Sequence, residues 1–399
     1  MLLNRERALA TMQDRGYEAL IATTPENVYY LSDYGNQHCF HFAAAGMSAA
    51  ILPLDESIPP TLLAQAWELP HLSQEPSWMP ELRIQTGITP YVPEDAELAP
   101  HEAQLRDLWR EAAETGLSNR QRLLGRTLQE LGLDRAALAF DDQRAMVELQ
   151  QHELGGADCR EALNDFRHIR LIKTEEEIVR LKQACDRNQA ALESTAAMVA
   201  EGVSTGDALN HYRAEMARAG GFGSHMTGGG VDRTWHTYPD LEYRLQKGDV
   251  YVMDPAGHYR YYWADLGRSA EIGGPTAKFE HLHGTLQACH EEVTPLLRHG
   301  ARTADIKQAS ADFVRDAMPA GFGPALHSIG IEQYDHPLSL GEFLSEDFTL
   351  EEGMVINYET PYIEYPWGGL QLEDTFQITA GLPVRLASLS QEPYYPAAA

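Results

Sequence analysis

Apolar and polar positions change period several times along the chain, and each change predicts an element. Residues 5–15 follow helical spacing and stop at Gly16, after which Ala19–Ala22 reads as a short buried strand. Residues 53–100 are rich in proline and glutamate with weak periodicity, and strands joined by long loops are the expectation there. Helical spacing returns over 119–131, ahead of Gly132, and 136–140 reads as another strand. Near residues 166–178 the register changes. Thr174 and Glu177 fit a capping box, so a long helix should begin there, with Ile178, Leu181 and Cys185 on its apolar face. A second helix is expected from Thr205 to the glycine pair Gly220-Gly221. From Lys247 onward the pattern becomes strands and tight turns, interrupted by helices over 279–297 and 303–317. The expected organisation is an α/β N-terminal domain over residues 1–165 followed by an α+β domain over 166–399.

Composition narrows the partners. The chain has 399 residues, enough for two domains that each bury a core. Lysine plus arginine total 31 against 59 aspartate plus glutamate, a net charge of −28, which argues against nucleic acid or an anionic membrane as partner. No apolar run is long enough to span a bilayer, and the first residues lack an apolar core followed by a small-residue cleavage site. The expectation is a cytoplasmic protein. Cys39, Cys159, Cys185 and Cys289 are far apart with no C-x-x-C pair, so neither a disulfide framework nor a thiolate zinc site is indicated.

Chemistry concentrates in the C-terminal half. Asp254 closes the apolar run Val250-Tyr-Val-Met253, an unfavourable place for a carboxylate unless a charge partner meets it. A hairpin turning near Tyr259 would bring Asp254 towards Asp265, and a bound cation is one of the few arrangements that keeps two carboxylates that close ionised. Glu359 ends the strand pattern Met354-Val-Ile-Asn-Tyr-Glu359. Period-2 counting around Glu373 puts Leu370, Leu372, Phe376 and Ile378 on one face, with Gln371, Glu373 and Thr375 on the other. With His327 these residues form a set of hard oxygen donors and one imidazole, suited to divalent Mn²⁺, Fe²⁺, Co²⁺ or Zn²⁺.

The ordered set Asp254, Asp265, His327, Glu359 and Glu373 resembles the pita-bread family of methionine aminopeptidase, prolidase, aminopeptidase P and creatinase. Tyr262, Arg268, Gly353-Met354-Val355 and Glu373-Asp374-Thr375 add to the likeness, and His236 stands where the family has a substrate-side histidine. The segment Ala22-Thr-Thr-Pro-Glu-Asn-Val-Tyr-Tyr-Leu-Ser-Asp-Tyr34 resembles the creatinase/prolidase N-terminal domain in outline. The resemblance implies a pita-bread catalytic domain, a homodimer and two divalent metal ions, with manganese first among them. Asp254 would chelate one ion, Asp265 and Glu373 would bridge both, and His327 and Glu359 would complete the second. A water between the ions, about 3.5–4 Å apart, would attack the substrate, and Glu359 would serve as its general base. In creatinase-like relatives a loop corresponding to Tyr34-Gly-Asn-Gln-His38-Cys-Phe-His41 approaches a partner's active site, making Tyr34, His38 and His41 substrate-binding candidates.

The chain departs from the pattern at two positions. Prolidase-type members read His-Gly-Ile-Gly-x-x-x-His-Glu-x-Pro, where this chain reads His327-Ser-Ile-Gly-Ile-Glu-Gln-Tyr334-Asp335-His336-Pro337. Tyr334 stands for the second histidine, and His336 would replace it only if the loop shifted by two residues. Gln371 occupies the place of an arginine. Both changes concern substrate handling. The leading expectation is a dinuclear metal-dependent hydrolase of a small peptide or amide, of the Xaa-Pro dipeptidase or aminopeptidase kind. The alternatives are a non-peptidase enzyme on a small metabolite, such as a dimethylsulfoniopropionate lyase or a hydrolase of a cyclic amidine or guanidino compound, and a catalytically inactive binding module.

Overall fold

The Asn4 side chain accepts the Arg7 N–H and so starts the helix Arg5–Arg15, which ends at Gly16 in the left-handed region (φ 67°). That helix opens the first of two compact units, Met1–Arg170 and Leu171–Ala399. The computed structural model describes residues 1–35, 48–227, 240–338 and 347–396. His38, His41 and His236 lie outside the described residues.

The first unit is built on a six-stranded sheet of β1 (Ala19–Ala22), β2 (Ala49–Pro53), β3 (Thr61–Gln65), β4 (Glu81–Gln85), β5 (Ala137–Phe140) and β6 (Asp158–Glu161), in the order β4-β3-β2-β1-β5-β6. It is mixed: β2 runs antiparallel to β1 and β3, while β3–β4, β1–β5 and β5–β6 are parallel. Strand β1 is buried at every position, which is why its sequence is continuously apolar rather than alternating. In the proline-rich stretch two strands form as expected, but so does the helix Leu69–Gln74, with a proline in its first turn. The helices Pro100–Thr115 and Gln143–His152 were not expected from periodicity; they begin at Pro100 and at the Asp142 cap.

The second unit begins with the helix Glu175–Met198, where the Thr174–Glu177 capping box is formed in both directions. The helix Thr205–Arg218 follows and ends two residues before Gly220. Strands β7 (Phe222–Thr227), β8 (Val250–Tyr259), β9 (Tyr262–Asp265) and β10 (Arg268–Glu271) form one sheet, with β8 paired to all three others. After the helices Ala277–Val293 and Thr303–Val314 come β11 (Ala325–Ser328), β12 (Val355–Glu359), β13 (Tyr362–Glu364), β14 (Gly368–Leu370), β15 (Glu373–Gln377) and β16 (Val384–Arg385). Strands β11-β12-β15-β16 make a second, antiparallel sheet, and β13–β14 is a hairpin. The core beneath that sheet includes Leu326, Ile356, Tyr358, Phe376 and Ile378.

One strand is longer than its apolar run. Strand β8 continues through Asp254 to Tyr259, and the chain reverses at Arg260 and Tyr261, both at positive φ (47° and 68°), as two-residue hairpins require. Ala256 pairs with Asp265, so Asp254 lies two residues along on the same face.

Candidate metal centre

Pleat and register assemble the site. Strands β11, β12 and β15 align His327, Asn357 and Thr375 in one row, and Ala325, Glu359 and Glu373 in the next on the same face. Ile356, Tyr358 and Phe376 alternate with them into the core. The two sheets are joined by reciprocal hydrogen bonds between Gly267 and Glu373 (3.1 and 3.3 Å), which carry Asp265 to the Glu373 end of β15. A methyl group at Gly267 would lie 2.2 Å from Gln371 Cγ and 2.9 Å from Glu373 Cβ, so this junction has room only for glycine.

Asp265, His327 and Glu373 are buried, with one ligand atom from each within 4.8 Å of the others. His327 Nε2 lies 3.1 Å from Glu359 Oε1, and Asp254 bears on Asp265 through a side-chain hydrogen bond. The structure therefore gathers Asp254, Asp265, His327, Glu359 and Glu373. Burial first, and then the charges of Asp254 and Glu359, raise the Asp265 carboxyl well above the usual range. Glu373 is raised well above it by burial and then by Asp265, Glu359 and Asp254.

Side-chain amides donate to these acids. Asn357 Nδ2 donates to Glu373 Oε1 (2.7 Å), Gln371 Nε2 to Glu373 Oε2 (3.0 Å) and Gln333 Nε2 to Asp265 Oδ2 (2.6 Å). Thr375 donates to Asn357 Oδ1 at 2.6 Å and holds that amide in place. The buried cations Lys173 and Arg268 pair instead with Asp335 (3.0 Å) and Asp374 (2.8 Å).

Such a donor set fits a divalent cation. His327 Nδ1 faces the Ser328 carbonyl oxygen at 3.3 Å, which leaves Nε2 to point its lone pair inward. Among the described residues that Nε2 has no hydrogen-bond partner, although a carboxylate oxygen is 3.1 Å away. Two acceptors face each other there, an arrangement that a shared cation satisfies.

Tyr334 lies against His327, with ring centroids 4.3 Å apart. Burial, then the Glu359, Asp265, Glu373 and Asp254 charges, push its phenol far above the ordinary value. His336 is placed differently: its Nδ1 accepts the Ser328 N–H (3.3 Å) and its ring packs on Phe348 at 5.2 Å. Gln371 is fully buried, and its Oε1 has no hydrogen-bond partner among the described residues. Tyr34 is buried in the first unit, its ring 5.8 Å from His71. Gln333 and Asn357 are the site residues that the sequence reading omits. Asn357 had a signal, because it precedes Glu359 by two in a strand pattern; Gln333, on a loop, had none.

A mixed α/β unit followed by an α+β unit, whose sheets meet at buried acids and a histidine, defines a two-domain pita-bread protein. The chain belongs to metallopeptidase family M24, which matches residues 179–380, and the Creatinase/Prolidase N-terminal domain matches residues 4–172. An uncharacterized peptidase of Staphylococcus epidermidis is 25% identical over 233 residues, 56% of this chain and 63% of the relative, so the chain spans less than two thirds of that relative's length. The Xaa-Pro dipeptidase of Pyrococcus furiosus is 24% identical over 258 residues, 62% of this chain and 72% of the dipeptidase. The prolidase structure from Pyrococcus horikoshii superposes with a TM-score of 0.74 at 18% identity, covering 97% of this chain and 98% of that one.

Proposed function

We propose that the chain is a dinuclear metal-dependent hydrolase of a short peptide or small amide, cleaving next to proline, and that Asp254, Asp265, His327, Glu359 and Glu373 hold its two divalent ions, Mn²⁺ foremost. The supporting observation is His327 Nε2 facing a carboxylate oxygen at 3.1 Å beside two further buried acids, Asp265 and Glu373, to which side-chain amides donate. Four carboxylates and one imidazole make a charge deficit that two divalent cations balance. When bound, those ions supply Lewis acidity for activating water and polarising a carbonyl.

The chain's own groups would do the rest. Glu359 takes the proton from the attacking water and passes it to the leaving amine. The Tyr334 hydroxyl, whose ring lies against His327, donates a hydrogen bond to the carbonyl oxygen as negative charge develops there. Asn357, Gln371 and Gln333 orient the carboxylates through the bonds described above. His236, His38 and His41 remain candidates for substrate contact, with a homodimer as the assembly and the cytoplasm as the compartment.

Gln371 and Tyr334 also favour a second reading, a non-peptidase reaction on a small metabolite, because a neutral amide stands where an arginine would pair a substrate carboxylate. Turnover of Ala-Pro, a longer Xaa-Pro peptide and a panel of small osmolytes by Mn²⁺-loaded protein separates the two. Cleavage of an Xaa-Pro bond is the expected result, and osmolyte turnover without it would replace the peptidase reading with the second.

A further inference from the structure

Away from the acidic cluster, the second unit buries an ion pair that the proposed chemistry does not use. Lys173 Nζ donates to Asp335 Oδ2 at 3.0 Å, and both side chains are fully shielded from solvent. The same ammonium reaches Ser328 Oγ at 3.3 Å, on the residue after His327. Asp335 directly follows Tyr334 in the chain, and its N–H donates to the Ser328 carbonyl at 2.9 Å. Its carboxylate lies over Gly330, where a methyl group would meet Oδ2 at 1.9 Å. The loop after β11 is thus folded onto itself around one carboxylate.

Lys173 is well placed to hold that carboxylate. It precedes the Thr174 cap of the helix Glu175–Met198, and its N–H is fixed by the Gly353 carbonyl at 2.9 Å. Glu177, in the same capping box, accepts the Tyr262 hydroxyl at 3.2 Å on β9. Trp263, next along β9, donates its N–H to the Gly330 carbonyl at 2.8 Å. One helix end therefore anchors both the strand leading to Asp265 and the loop carrying Gln333 and Tyr334.

We propose that Lys173 and Asp335 are positioning residues, a buried clamp that holds the 329–337 loop so that Gln333 stays on Asp265 and Tyr334 on His327. A charge pair suits this role because its two partners are 162 residues apart in sequence, and neither charge is tolerated alone in a dry interior. The kinetic part of the proposal rests on the catalytic reading above, while the positional part does not.

The test uses the full chain with Lys173→Met, Asp335→Asn, and both together. Each single change leaves an uncompensated buried charge or an unfilled polar contact, and is expected to lower the thermal midpoint. The double change removes both charges and should recover much of that loss. Amide hydrogen exchange of residues 329–337 in the folded double variant is expected to be at least about tenfold faster than in the parent, while the middle of the helix Glu175–Met198 is unaltered. On a substrate that the parent turns over, kcat is expected to fall in the double variant without a comparable change in KM. In a Tyr334→Phe background the double change should lower kcat by less than it does in the parent, because part of its effect runs through that hydroxyl. Parent-like exchange in the folded double variant would overturn the clamp, as would kcat losses that multiply. If no substrate is found, the catalytic reading fails and exchange alone decides the clamp.

Discussion

Gly267 shows how a single missing side chain can govern the proposed metal centre. Its backbone pairs with Glu373, and a Cβ there would press on Glu373 Cβ, which the backbone fixes, and would drive the Gln371 side chain out of its place beside Glu373. Gly267→Ala should therefore weaken Mn²⁺ binding on the order of 10–100-fold, the range seen when groups supporting metal ligands are lost; calorimetric titration reads this, and unchanged affinity would show that the junction is slack. Tyr334→Phe tests a different role. It should leave metal content as it was and lower kcat by roughly 10²–10³, the usual loss of one donor to a developing oxyanion. At this scale the sequence was informative where period-2 alternation applies: Gln371, Glu373 and Thr375 share a face because Leu370, Phe376 and Ile378 need the other. It was uninformative for Gln333 and for Lys173 with Asp335, since contacts made by a loop, or across 162 residues, leave no periodic trace.

The elements most legible in the sequence are those with both a period and a punctuating residue. Arg5–Arg15 with Gly16 and Glu175–Met198 with its capping box are such cases. Pro100–Thr115 and Gln143–His152 are mostly exposed helices whose polar residues obscure the stripe. Strand β8 outran its apolar run because Asp254 faces the acidic cluster, so a polar residue marked the site and not the strand's end. The capping box also carries a pH effect. Burial raises the Glu177 carboxyl to about 7, so the folded chain holds its proton more tightly than the unfolded one does. The stability this group contributes is complete below the unfolded value near 4.5 and is lost as pH rises through about 7. Glu177→Gln keeps an acceptor for the Thr174 N–H and cannot ionise. Relative to the parent it should gain on the order of 3 kcal/mol between pH 4.5 and pH 8, measured as urea midpoints at both; equal midpoint shifts in the two proteins would count against a buried neutral Glu177.

At the scale of the whole chain, a net charge of −28 and two compact units frame what the acidic cluster can do. Among the described residues no helix is long and apolar enough to cross a membrane, and the acidic balance offers no footprint for nucleic acid. The Creatinase/Prolidase N-terminal domain matches over the first unit and family M24 within the second, where the clustered acids and His327 lie. Divalent cations that bind the folded chain alone should also stabilise it, by about 2.7 kcal/mol per site at a free concentration one hundred times Kd. The most direct measurement is elemental analysis of the purified protein after Mn²⁺ loading and removal of free metal, alongside Asp265→Ala. The account predicts two divalent ions per parent chain and their loss in the variant. A metal-free parent, or a variant that keeps both ions, would contradict it.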